Sequence, residues 1–217
     1  MPPAGRTKAI QNLVDKATAA LANDDWFQAE HALDRALAMS HGRHDYHGMA
    51  EIIGLLWQSR SGLRKQAFAS RKAIRIIDDE VTDTMEVERG RYLVQPPLVG
   101  ADARRLRLLA FAAEVPVMVL CREPSTQLGL IPVVAIGPLG AVRTKVKPPR
   151  DPSKPTATWF RDALRSLGEV AVEKLNPVHP ASRRLEPMLG LLDTLPEDEG
   201  LHRLAIDLCG EAANEIP

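Results

Sequence analysis

The sequence predicts an α+β protein: an N-terminal helical unit, a small sheet made of a βαβ unit and a hairpin, and C-terminal helices packed on that sheet. Three observations point there. Apolar residues recur every three or four positions through residues 8–78. From Arg91 to Lys147 the periodicity switches to short β-branched runs bounded by Gly and Pro. Helical spacing then returns over 158–214. The expected divisions are 1–78, a linker over 79–90, and 91–217, with 91–147 as the α/β part.

The first helix is read from Ile10, Leu13, Val14, Ala17 and Leu21. Asn23-Asp24-Asp25 breaks it. A second runs from Trp26 to Met39 with Ala29, Ala32, Leu33 and Ala36 on one face, and Ser40-His41-Gly42 ends it. A third is expected over about 46–59 and a fourth over about 63–77. Ser59-Arg60-Ser61-Gly62 supplies turn chemistry between them. The acidic run DEVTDTMEVERG forms the linker.

The stretch ALANDDWFQAEHALDRALAM carries a pattern of its own. Asp25-Trp26 marks a polar turn followed by an aromatic. Ala29 is a small residue, Leu33 a large apolar one and Ala36 a second small one. In these positions the segment resembles the middle of a tetratricopeptide repeat. The resemblance covers about one repeat, and at most two within residues 9–77. Ala17 and Asp24 stand where that motif usually has glycine. It implies a tetratricopeptide-like four-helix unit leaning on the rest of the chain, with a groove for a partner peptide.

After the linker, 91–95 reads as a strand and Asp102–Glu114 as a crossover helix. The near-continuous apolar run 115–121 suits a strand buried on both faces. Strands 91–95 and 116–121 should therefore be parallel. Segments 130–136 and 141–147 read as a hairpin around Gly137-Pro138-Leu139-Gly140, with Pro132 favouring a late start or an edge. Four prolines in 148–157 form a tether, and three helices follow.

Composition is ordinary for a globular chain, with 45% apolar and 26% charged residues among 217. The formal charge of zero conceals a layout. Residues 89–150 hold ten Lys and Arg against three Asp and Glu, a balance of +7. Residues 1–88 balance to −2 and 151–217 to −5. Two distant cysteines, Cys121 and Cys209, fit a reducing compartment, and the N-terminus has no signal-peptide core, so the expectation is a cytoplasmic protein without a membrane span.

Three functions follow, in order. The first is a non-enzymatic interaction or scaffold protein whose partner is a protein or peptide. The second is a protein, enzyme or not, that binds a small anionic ligand or phosphoester at the C-terminal ends of strands 91–95 and 116–121. Its residues would be Gln95, Asp102, Arg104, Arg122 and Arg143. The third, not favoured, is nucleic-acid binding through Arg143, Lys145 and Lys147, against which the aromatic-poor basic segment argues. No catalytic residue, metal or cofactor is expected. RYLVQPPLVGADARRL has one glycine and no dinucleotide or P-loop fingerprint, and Asp102 is read as a helix cap that would repel an anion. Cys121 has no histidine nearby in sequence to activate it. In HGRHDYH, His41, His44 and His47 read as a solvated loop between helices.

Overall fold

The computed structural model describes residues 6–215. It holds seven helices, five strands and two compact units among those residues. Among the described residues one unit is drawn from 6–62, 175–192 and 199–215, the other from 63–174 and 193–198. By this division α6 (Ala181–Thr194) up to Leu192, and α7 (Glu199–Glu215), group with the N-terminal helices and α5 (Ala157–Glu173) with the sheet, where the sequence predicts all three C-terminal helices on the sheet.

In the helical unit, α1 (Lys8–Ala22) starts at Thr7, whose hydroxyl accepts from the Ile10 N–H. It buries Ile10, Val14, Ala17 and Leu21. Asp24 takes the left-handed conformation at φ 58°, and Asp25 caps α2 (Trp26–His41). Ala29, Leu33 and Ala36 are fully buried. The small side chains let two helix backbones approach, and α1 and α2 pack as a pair.

The second expected hairpin does not form. Instead α3 runs unbroken over Tyr46–Ala69, capped by Asp45. Its residues to Gly62 belong to the helical unit. Ser59-Arg60-Ser61-Gly62 resembles a turn but serves packing. The Ser59 hydroxyl donates to the Trp26 carbonyl at 2.6 Å, and a Cβ on Gly62 would collide with the Trp26 indole. Arg60 is 7% exposed. Its guanidinium donates to Glu30 at 2.7 Å and to the Leu192 carbonyl at 2.9 Å, beside Asp34 and the buried His202. Such a pair must satisfy its remaining donors to offset desolvation, and the Leu192 carbonyl does part of that. Leu192 lies on α6 (Ala181–Thr194) and His202 on α7 (Glu199–Glu215).

The second unit contains a five-stranded sheet in sequence order. β1 (Arg75–Ile77), where the periodicity predicts the end of a helix, pairs parallel with β2 (Gly90–Val94), and β2 pairs parallel with β3 (Val117–Arg122). The expected hairpin, β4 (Ile131–Gly137) and β5 (Gly140–Val146), continues the sheet antiparallel. Pro132 is tolerated because β3 pairs β4 only at Val133 and Val134. The crossover helix α4 (Gly100–Ala112) contributes Ala103 and Leu106 to a core with Tyr92, Val94, Cys121 and Val134. α5 (Ala157–Glu173) packs against β4 and β5.

Candidate functional site

Three parallel strands end together, and a polar side chain stands in the same register at the end of each: Asp78 directly after β1, Gln95 directly after β2 and Arg122 as the last residue of β3. Ile77 pairs with Val94 and Val94 with Cys121, so the next residues, Asp78, Gln95 and Arg122, form a row. Val94 and Cys121 face the α4 core. By strand alternation the row faces the other side of the sheet.

The row is hydrogen-bonded from end to end. Gln95 Nε2 donates to Asp78 Oδ2 at 3.0 Å, which fixes the orientation of the carboxamide. Its Oε1 then accepts from Arg122 Nε at 3.1 Å and from Arg122 Nη2. One edge of the guanidinium, Nε with Nη2, is thus held. The third nitrogen, Nη1, is buried without a hydrogen-bond partner among the described residues. Burial pulls the Arg122 guanidinium below its ordinary value. An unpaired buried donor costs about 1–3 kcal/mol, more when charged. This one sits where open α/β sheets place their ligands.

The remaining candidates lie elsewhere. Asp102 is not the cap residue but the third residue of α4. Its carboxylate accepts from the Val99 N–H at 2.8 Å, closing the helix start against its own backbone. Gly100 serves close packing, since a Cβ there would stand 2.8 Å from Ile136 Cδ1. Arg104 pairs with Asp193 at 3.7 Å. Arg143 pairs with Glu123 at 2.6 Å; by alternation it stands on the sheet face opposite Arg122, with its side chain 60% exposed. Of the five ligand candidates, Gln95 and Arg122 are brought together. Asp78 was missed. Its signal is position alone, directly after a β-branched Ile76-Ile77 pair whose spacing also suits the end of a helix.

Much of the positive charge in 89–150 is spent on structure. Arg91 donates to the carbonyls of Phe68, Ser70 and Lys72. Arg105 pairs with Asp83 at 2.8 Å, and Arg107 donates to the carbonyls of Asp193 and Thr194. Lys145 and Lys147 are exposed. Cys121 is fully buried, and burial pushes its thiol up to about 12, so little thiolate exists at neutral pH to act as a nucleophile.

In HGRHDYH, Asp45 caps α3, and His44 stands at φ 55° beside the Tyr46 hydroxyl. No cluster of three His, Cys, Asp or Glu suited to a metal occurs among the described residues. None of their helices is long and apolar enough to cross a membrane. Comparison of the chain with protein-family models, curated proteins and solved structures finds no match.

Proposed function

We propose that this protein binds a small anionic ligand, a carboxylate or phosphoester, at the ends of β1, β2 and β3, with Arg122 as the group that contacts it. The observation that carries this reading is the unpartnered Arg122 Nη1 in a row that already holds the rest of the guanidinium. Asp78 and Gln95 are positioning residues. They hold Arg122 in one orientation before the ligand arrives, which lowers the entropy lost on binding. A guanidinium edge suits a two-oxygen anion better than an ammonium would. A peptide groove on the helical unit is the weaker reading. The match to a repeat stops after α2, and Glu30, Arg60 and His202 fill the interior behind it.

The test is a side-chain NMR titration following the Arg122 Nε–H signal with inorganic phosphate, a nucleoside monophosphate and citrate in turn. A saturable shift with at least one of them is expected, absent in Arg122→Gln and weakened in Gln95→Leu, with circular dichroism unchanged in both. If none of the three gives a saturable change, or if Arg122→Gln binds as well as the parent, the reading is refuted.

A further inference from the structure

At the far edge of the sheet, β5 pairs with β4 on one side and with no strand on the other among the described residues. Its carbonyls alternate in direction. The Ala141 carbonyl accepts from the Lys174 ammonium, and the Lys147 carbonyl accepts from Trp159 Nε1 at 2.8 Å. Trp159 lies on α5 and Lys174 directly after it; counted from the Gly137–Gly140 pair that closes the hairpin, the alternating ladder turns both carbonyls away from β4. Arg143 and Lys145 share that phase, two and four residues on. Their N–H and C=O groups therefore also point outward, and no described residue bonds them. The result is a short open edge closed at each end.

The side chains on this edge have one sign. Arg143, Lys145 and Lys147 are exposed and alternate with Val142, Thr144 and Val146 along the strand. Such a row is a familiar guard against edge-to-edge aggregation. A second copy of β5 laid antiparallel here would bring cations opposite cations, and like charges directly opposite are destabilising. An acidic strand meets the opposite condition at every outward position.

We infer that the β5 edge is a docking site for an extended acidic peptide, which adds as a sixth strand opposite Arg143 and Lys145 with Asp or Glu at alternate positions. Backbone pairing supplies the register and the cations supply the selectivity. Lys174 and Trp159 limit the paired stretch to roughly five residues of the guest at strand spacing. Glu123, which pairs with Arg143, is the internal carboxylate that the guest displaces. A nucleic acid fits less well. It makes no use of the open backbone groups, β5 itself contains no aromatic residue for stacking, and α4 spends Arg105 and Arg107 on other partners.

The experiment uses fluorescein-labelled Glu-Val-Glu-Val-Glu and the full chain, followed by anisotropy. A saturable signal that weakens with salt is expected. Two changes should each lower affinity at least about tenfold: Lys145→Glu with Lys147→Glu in the protein, and N-methylation of alternate peptide amides in the guest. The doubly substituted protein should instead bind Lys-Val-Lys-Val-Lys. Three results would each overturn the inference: no saturable signal, undiminished binding of the N-methylated peptide, or a thymidine oligonucleotide binding more tightly than the acidic peptide.

Discussion

Two helical glycines provide a matched pair of perturbations with opposite expected signs. In a helix interior Gly→Ala gains about 0.8–1 kcal/mol from propensity alone. At Gly210 on α7 nothing lies within 4 Å of the added Cβ, so the gain should appear undiminished. At Gly62 on α3 the Cβ would stand 2.6 Å from Trp26 Cε2 and 2.8 Å from Cε3, with Cδ2 closer still. The indole cannot retreat by shifting its backbone, because the Ser59 hydroxyl holds the Trp26 carbonyl and Asp25 caps the helix start. It must rotate away from its rotamer or push α2 outward. Overpacking of this kind costs about 1–3 kcal/mol, which offsets the propensity gain and leaves a net loss of up to about 2 kcal/mol. For a chain of this size each kcal/mol moves Tm by about 2–4 °C. Gly210→Ala should therefore melt a few degrees above the parent and Gly62→Ala a few degrees below it. Urea midpoints should move in the same directions with unchanged slope. If Gly62→Ala rises together with Gly210→Ala, the packing of Trp26 on α3 is wrong, and with it the continuity of that helix.

Further outcomes are expected. Ala29→Leu should lower stability by about 1–3 kcal/mol, measured by urea denaturation, because Ala29 is fully buried. Glu215 accepts hydrogen bonds from the backbone of Ser182 and Ala181 at the start of α6, and the Ser182 bonds chiefly hold its carboxyl below the ordinary value. A depressed carboxyl contributes stability above its unfolded pKa of about 4.3, and that contribution disappears as pH falls through the folded value. Glu215→Gln should accordingly flatten the acid side of the stability–pH curve relative to the parent, leaving its alkaline side unchanged. Both buried thiols, Cys121 and Cys209, are pushed up to about 12 by burial. Ellman's reagent at mild alkaline pH should find neither in the native protein and both in urea.

What the sequence revealed followed from side-chain period. The βαβ unit and hairpin were legible because Val115–Cys121 and Ala141–Lys147 carry unambiguous strand patterns, and Asp25–Ala36 defined the first helix pair. Two misreadings had a common origin. Ser59-Arg60-Ser61-Gly62 has the composition of a turn, yet its hydroxyl, guanidinium and missing side chain all answer to partners distant in sequence. No local pattern encodes that. Arg75–Ile77 is three residues long, too short to display a period, and its strand character comes from pairing with β2. That loss hid Asp78, while Gln95 and Arg122 remained visible because longer strands located them. Asp102 was assigned the right kind of role at the wrong helix position, because α4 begins two residues earlier, at Gly100.

The division of the chain sets an order of assembly during biosynthesis. Nearly all of the sheet unit, residues 63–174, is made before α6 and α7 exist. The helical unit is split, with its first 62 residues emerging early and its remainder only at the end. Until then Arg60 and Glu30 lack the Leu192 carbonyl and the His202 ring that enclose them, and Gly54 lacks Ile206. A chain stalled at residue 174 would thus already contain all five strands of the sheet, while the helices of the other unit would still have an unsealed interior, and it is these helices that a chaperone would find.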